Sequence, residues 1–220
     1  MSNLQNLPQI ITAIGGLGTA AFGLVDASKA IGGGVNHIGF GAIRKTVESL
    51  TPGNPTNAMS QNKVVATLKA NWFNGTDLGS QKAIAKSLIK LNLNSTNAQA
   101  LAGVTGVDPT VLSEVATSIA QGTSLTATQN DVYARFDLIV TALLDETYQY
   151  ADDVYRNWTR AIAALVAVGL AVAGGYVLSS TPNNWESVMV GLLATPLAPI
   201  AKDLSTALAT AVNTLQVVKK

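Results

Sequence analysis

Ala161–Ser180, AIAALVAVGLAVAGGYVLSS, carries no charge and has about the ~20 residues that a helix needs to cross a ~30 Å hydrocarbon core. Its flanks agree with a membrane reading. Arg156, Trp158 and Arg160 stand before it, and Tyr176 and Trp185 lie near or beyond its far end. Trp158 to Tyr176 spans roughly 27 Å at ~1.5 Å per residue, so the two aromatic side chains fall near opposite headgroup levels. Cations beside one aromatic anchor complete the pattern of an interfacial belt, and Arg156, Trp158 and Arg160 are expected at the membrane surface.

A second uncharged stretch, Pro8 to Val25, PQIITAIGGLGTAAFGLV, precedes Asp26. Its glycines, Gly15, Gly16, Gly18 and Gly23, would each weaken a soluble helix by up to ~1 kcal/mol. In a membrane helix they permit close packing instead. No Lys or Arg precedes this stretch and no small-residue cleavage pattern follows it, so it reads as retained rather than as a cleaved signal. A third segment, Ser187 to Ala201, SVMVGLLATPLAPIA, is shorter and holds Pro196 and Pro199. It reads as a kinked span or as a re-entrant or interfacial helix, because proline frees backbone groups that need partners within the protein. A further uncharged run to Val218 follows Lys202 and Asp203.

Every Lys and Arg other than Lys29, Lys202, Lys219 and Lys220 lies between Arg44 and Arg160. The positive-inside rule then places residues 44–160 and the C-terminus in the cytoplasm, with the N-terminus and the 179–187 loop outside. The expected fold is all-α: about three transmembrane helices and a small cytoplasmic helical bundle whose last long helix continues into the membrane. Residues 1–45 form the first span and its glycine-rich exit, 46–125 the small domain, 126–180 the long acidic helix entering the second span, and 181–220 the external loop, the proline-kinked third segment and a C-terminal helix.

The proline- and asparagine-rich run TPGNPTNAMSQ (51–61) separates the first part from the small domain. Ser60 is an expected cap for a helix packing Val64, Val65, Leu68 and Trp72. A second helix, 80–93, presents Ile84, Leu88 and Leu91, with Lys82, Lys86 and Lys90 on the opposite stripe, where they could meet anionic lipid headgroups. A short helix covers about 96–102. Asp108, Pro109 and Gly122 mark the start and stop of a helix packing Val111, Leu112, Val115 and Ile119. The last helix begins after Thr126 and meets no Pro or Gly before Gly169. Phe136, Ile139, Leu143, Tyr150 and Val154 give it an apolar face, while Asp131, Asp137, Asp145, Glu146, Asp152 and Asp153 make its other side acidic.

Chemistry-bearing residues are sparse. The chain has no cysteine and one histidine, and it lacks the nucleophile-elbow, zinc-protease and phosphate-loop patterns. His37 sits in GGGVNHIGFG (32–41), which reads as a flexible or tightly packed exit from the first span. Asp145, Gln149 and Asp152 share one helix face and would bind a divalent cation only if another segment supplied oxygens. The sequons at Asn74, Asn94 and Asn157 fall on the inferred cytoplasmic side. A non-enzymatic protein with no cofactor, metal or catalytic site is therefore expected. Only 12% of residues are charged and the net charge is +1, so nucleic acid is not an expected partner.

Small residues supply the more informative pattern. Ala163, Ala167, Ala171 and Gly175 recur every four residues, and Gly16 and Ala20 share that spacing in the first span. Such stripes let helices approach closely in lipid. The expected partners are the lipid bilayer and a homo-oligomer or other membrane subunits. The expected role is a membrane-anchored structural or scaffold protein. A channel or transporter subunit, with the proline-broken segment lining a pathway, is the alternative.

Overall fold

The computed structural model describes residues 7–52, 60–178 and 183–199, and all regular structure among them is helical. The elements are α1 (Leu7–Ser28), a 3₁₀ turn (Gly34–His37), α2 (Phe40–Leu50), α3 (Gln61–Phe73), α4 (Leu78–Asn92), α5 (Ala98–Thr105), α6 (Pro109–Gln121) and α7 (Ala127–Leu178). Residues 184–199 form a further helix, α8. The run from Lys202 to Val218 and the terminal lysines lie outside the described residues. Two compact units result: residues 36–155, and residues 1–35 with 156–220.

Local signals fix several boundaries of the first unit. Asp108 caps α6 by accepting the Val111 amide at 2.9 Å, Pro109 takes the first turn, and Gly122 closes the helix in the left-handed conformation. α4 starts at Leu78, earlier than the expected residue 80, because Asp77 caps it: its Oδ1 accepts the Ser80 amide at 2.8 Å. Ser60 does precede α3 but makes no side-chain capping bond.

Val64, Leu68 and Trp72 from α3, Ala85 and Ile89 from α4, Leu112 from α6 and Phe136, Val140, Leu144 and Tyr148 from α7 share one buried core. Two of the expected faces are displaced by about one residue. On α4 the core line is Gln81, Ala85, Ile89 and Asn92, with Ile84 and Leu88 partly buried against the core and Leu91 70% exposed; on α7 Phe136 is buried and Ile139 and Leu143 pack against the core, but Tyr150 is exposed and Tyr148 buried. Burial pushes the Tyr148 phenol well above its ordinary value, so the ring enters the core neutral.

The lysine stripe of α4 accounts for its displaced face. Lys82 donates to Asp145 at 2.6 Å, and Lys86 and Lys90 both donate to Asp137, at 2.5 and 2.9 Å. These ammonium groups flank the α4 core line and bind the acidic side of α7. Each of the three ammonium groups thus has a carboxylate partner within the same unit while keeping part of its surface exposed. Asp145 is likewise engaged by Lys82 and not held open for a divalent cation with Gln149 and Asp152. Lys90 also lies 4.9 Å from the Tyr133 ring centre.

The glycine-rich exit is ordered. Asn36 donates to the Phe73 carbonyl at 3.0 Å while the Trp72 indole donates to the Asn36 carbonyl at 2.8 Å. His37 packs edge-on against Phe73, ring centres 4.8 Å apart. Gly39, at φ 88°, has no alternative residue: a Cβ there would stand 2.5 Å from the Ala151 carbonyl oxygen.

Burial acts most strongly on the Asp137 carboxyl and raises it, yet Lys86 and Lys90 together hold it below its ordinary value; Asp137 in turn raises Lys90. The depressed carboxyl stabilises the fold above the unfolded value and loses that contribution as pH falls through its folded value. The raised ammonium contributes below its unfolded value and is lost at more alkaline pH. The α4–α7 latch is thus fully closed between the ordinary values, ~3.9 and ~10.4. Asp137→Asn, which leaves two lysines without their carboxylate, is expected to weaken the latch by about 1–2 kcal/mol. The protection of α4 amides against exchange in the full chain should then fall roughly 5–30-fold at neutral pH and should no longer respond to titration of this carboxyl. Asp153→Asn, on an exposed position of α7, should leave it unchanged.

Candidate functional site

Among the described residues no group of three or more His, Asp or Glu is arranged to hold a metal ion. The most distinctive geometry is the meeting of three apolar helices in the second unit: α1, the α7 residues from Arg156 onward, and α8. Two of these helices, Gln9–Ser28 and α7, contain windows long and apolar enough to cross a membrane.

Small residues set the contacts. α1 buries Gly15, Gly18, Ala21 and Val25; α7 buries Ala163 and Ala167; α8 buries Gly191, Ala194 and Ala198. Gly18 lies directly on the Ala194 carbonyl: a Cβ there would collide with its oxygen, fall 2.6 Å from its carbon and reach within 3.0 Å of the Ala198 Cβ. At Gly191 an added Cβ would collide with the Val168 Cα, 2.8 Å from the Val168 nitrogen and 3.0 Å from the Ala167 oxygen. Both obstacles are backbone, which has no rotamer with which to give way. Ala21, Ala167 and Ala194 close the centre, with Ile14, Leu17, Val166 and Leu170 around them.

These pairs define the topology. Ala21 meets Ala167 while Ile14 and Leu17 share a groove with Ala171 and Gly174, so α1 and α7 run antiparallel. Gly18 meets Ala194 while Ile14 and Val190 line the same groove, so α8 runs parallel to α1. On the exposed side of α1 the Thr19 hydroxyl donates to the Gly15 carbonyl at 3.0 Å.

The expected stripe divides in two. Ala163 and Ala167 are fully buried, whereas Ala171 and Gly175 are half-buried and line the groove where the helices diverge. On α1 the packed line is one to two positions round from the expected one: Gly16 and Ala20 are exposed, and a Cβ at Gly16 would meet nothing within 4 Å. Within the chain, then, Gly18 and Ala21 replace Gly16 and Ala20 as the contact. Gly191, Ala194 and Ala198 were legible only as small residues at i, i+3 and i+7, a spacing that the prolines beside them obscure. Pro196 does not interrupt the helix over 184–199. Arg156 and Arg160 are exposed, as is Trp158 at 58%.

Leucine at Gly18 or Gly191 is expected to disrupt this unit more severely than the ~1–3 kcal/mol of ordinary overpacking, lowering the unfolding temperature of the detergent-purified chain. Gly16→Leu should leave that temperature nearly unchanged, and Ala171→Leu should do less damage than Ala167→Leu because its side chain has the groove to enter. No protein-family model, curated protein or solved structure matches this chain.

Proposed function

We propose that the chain is a non-enzymatic, membrane-anchored scaffold whose three apolar helices span the bilayer and whose residues 36–155 form a helical domain on the cytoplasmic side. The observation that carries this reading is the outward display of large apolar side chains on helices that are themselves well packed. The apolar window of α7 is only 11% buried and that of α1 22%, unlike the core helix of a soluble protein. Leu165, Val177, Leu178, Met189, Leu192 and Leu193 are all exposed. Leaving these six in water forgoes on the order of 10 kcal/mol, as much as the net stability of a whole domain, about 5–15 kcal/mol. A hydrocarbon surround removes that imbalance.

Small-residue packing supports the same reading, since lipid supplies no hydrophobic force between helices and association relies on close contact. Tyr176 and Trp185 near one end, and Trp158 with Arg156 and Arg160 near the other, suit the two headgroup levels. The cation distribution favours the N-terminus and the 179–187 loop outside, with residues 44–160 and the C-terminus inside.

The alternative of a channel or transporter subunit rests on Pro196 and Pro199. The inner line of α8, Gly191, Ala194 and Ala198, lies in direct contact with α7 and α1, and a pathway along it would need that contact to open. This favours the scaffold, with self-association or further membrane subunits as its partners.

Because the chain has no cysteine, single cysteines at Ser2, Ser180 and Ser124 report topology without background. An impermeant thiol reagent on intact cells is expected to label the first two and spare the third; labelling of Ser124 alone would overturn the orientation. Release of the chain from membranes by alkaline carbonate would overturn the membrane reading itself.

A further inference from the structure

Where α1, α7 and α8 diverge beyond the Gly18 and Gly191 contacts they leave a groove of about 510 Å³, within the ~300–1,000 Å³ of small-ligand sites. Its walls are Ile14, Leu17, Leu170 and Val190, and its width comes from the missing side chains at Gly174 and Gly175. The polar groups on its rim, Asn183, Glu186 and Ser187, all belong to the start of α8. Among the described lining residues the one charge is the exposed carboxylate of Glu186, with no Lys, Arg or His beside it. Trp185 and Tyr176, 70% and 58% exposed, lie at this same end, the level at which aromatic side chains meet headgroups.

An apolar slot at acyl-chain depth with a lone carboxylate at headgroup height selects its occupant by charge. We infer that the groove is a binding site for one amine-bearing phospholipid, phosphatidylethanolamine, an acyl chain lying between Leu17 and Leu170 and the primary ammonium donating to Glu186. A carboxylate is an acceptor only, and a primary ammonium brings three donors to it in a charge-assisted bond. The quaternary ammonium of phosphatidylcholine has no N–H to give. An anionic headgroup would set like charge against Glu186. The half-buried Ala171 and Gly175 thereby acquire a role different from helix contact: their small size keeps the slot open.

This site rests on the membrane reading above, and the test separates the two. Full-length chain, wild type and Glu186→Gln, is reconstituted in vesicles holding equal amounts of phosphatidylethanolamine, phosphatidylcholine and phosphatidylglycerol. It is then extracted in mild detergent, and the retained lipid is identified by native mass spectrometry. Wild type is expected to retain phosphatidylethanolamine about tenfold over phosphatidylcholine, Glu186→Gln to lose that preference, and Gly174→Leu to lose the bound lipid while keeping the wild-type helix content. Equal retention of the lipids by wild type, or an unchanged preference in Glu186→Gln, overturns the proposal. A chain that inserts normally and shows no preference defeats the groove alone, whereas a chain that never partitions into the vesicles defeats the membrane reading.

Discussion

α7 is one uninterrupted helix from Ala127 to Leu178, and each of the two units is packed on part of it. Its first part supplies Phe136, Val140, Leu144 and Tyr148 to the core of the bundle, and its later part supplies Ala167 to the contact with α1 and α8. The helix contains no Pro, and no Gly before Gly169, so over that stretch neither a missing donor nor a flexible residue weakens the i to i+4 ladder. The composition of the helix changes along its length to match: large side chains and paired carboxylates serve the core of the bundle, and alanines serve close helix contact.

The two cores accordingly use different physics. In residues 36–155 burial of large apolar side chains drives packing, and the Lys82–Asp145 and Lys86–Asp137–Lys90 pairs flank it, fixing which face of α4 turns toward α7. In the apolar unit the largest contributions come from what is absent. With hydrogen atoms in place of side chains at Gly18 and Gly191, backbones come into direct contact at those two points; in the bilayer proposed above, dispersion contacts of this kind would take the part that apolar burial takes in water.

How much of this the sequence reveals depends on how local each determinant is. The all-helical class, the Asp108–Pro109 start and Gly122 stop of α6, and the start of α7 after Thr126 were all readable, because a cap is decided by neighbours within a turn. The core-facing lines of α4 and α7 were read about one residue out. Periodicity of Ile84, Leu88 and Leu91 points to one face, but Gln81, Ala85 and Ile89 turn inward with the lysines paired to α7 beside them, and such cross-helix pairing has no signature in α4 alone. In the candidate site the Ala163–Ala167 half of the stripe was legible from its period. Gly18 and Gly191 were not, because a single glycine acquires its meaning only from the carbonyl or Cα that lies against it.

The turn after α1 carries a consequence of a different kind. Gly32, Gly33 and Gly34 all have positive φ, at 65°, 91° and 43°, so the chain there briefly follows the mirror image of the conformations that L-residues prefer. At Gly32 space is not the constraint, since an added Cβ would meet nothing within 4 Å. Handedness is. Gly32 therefore discriminates by stereochemistry where Gly18 and Gly191 discriminate by volume: an L-alanine there is strained although the space is open, and its D-enantiomer, with the mirrored preference, would adopt the same φ without that strain.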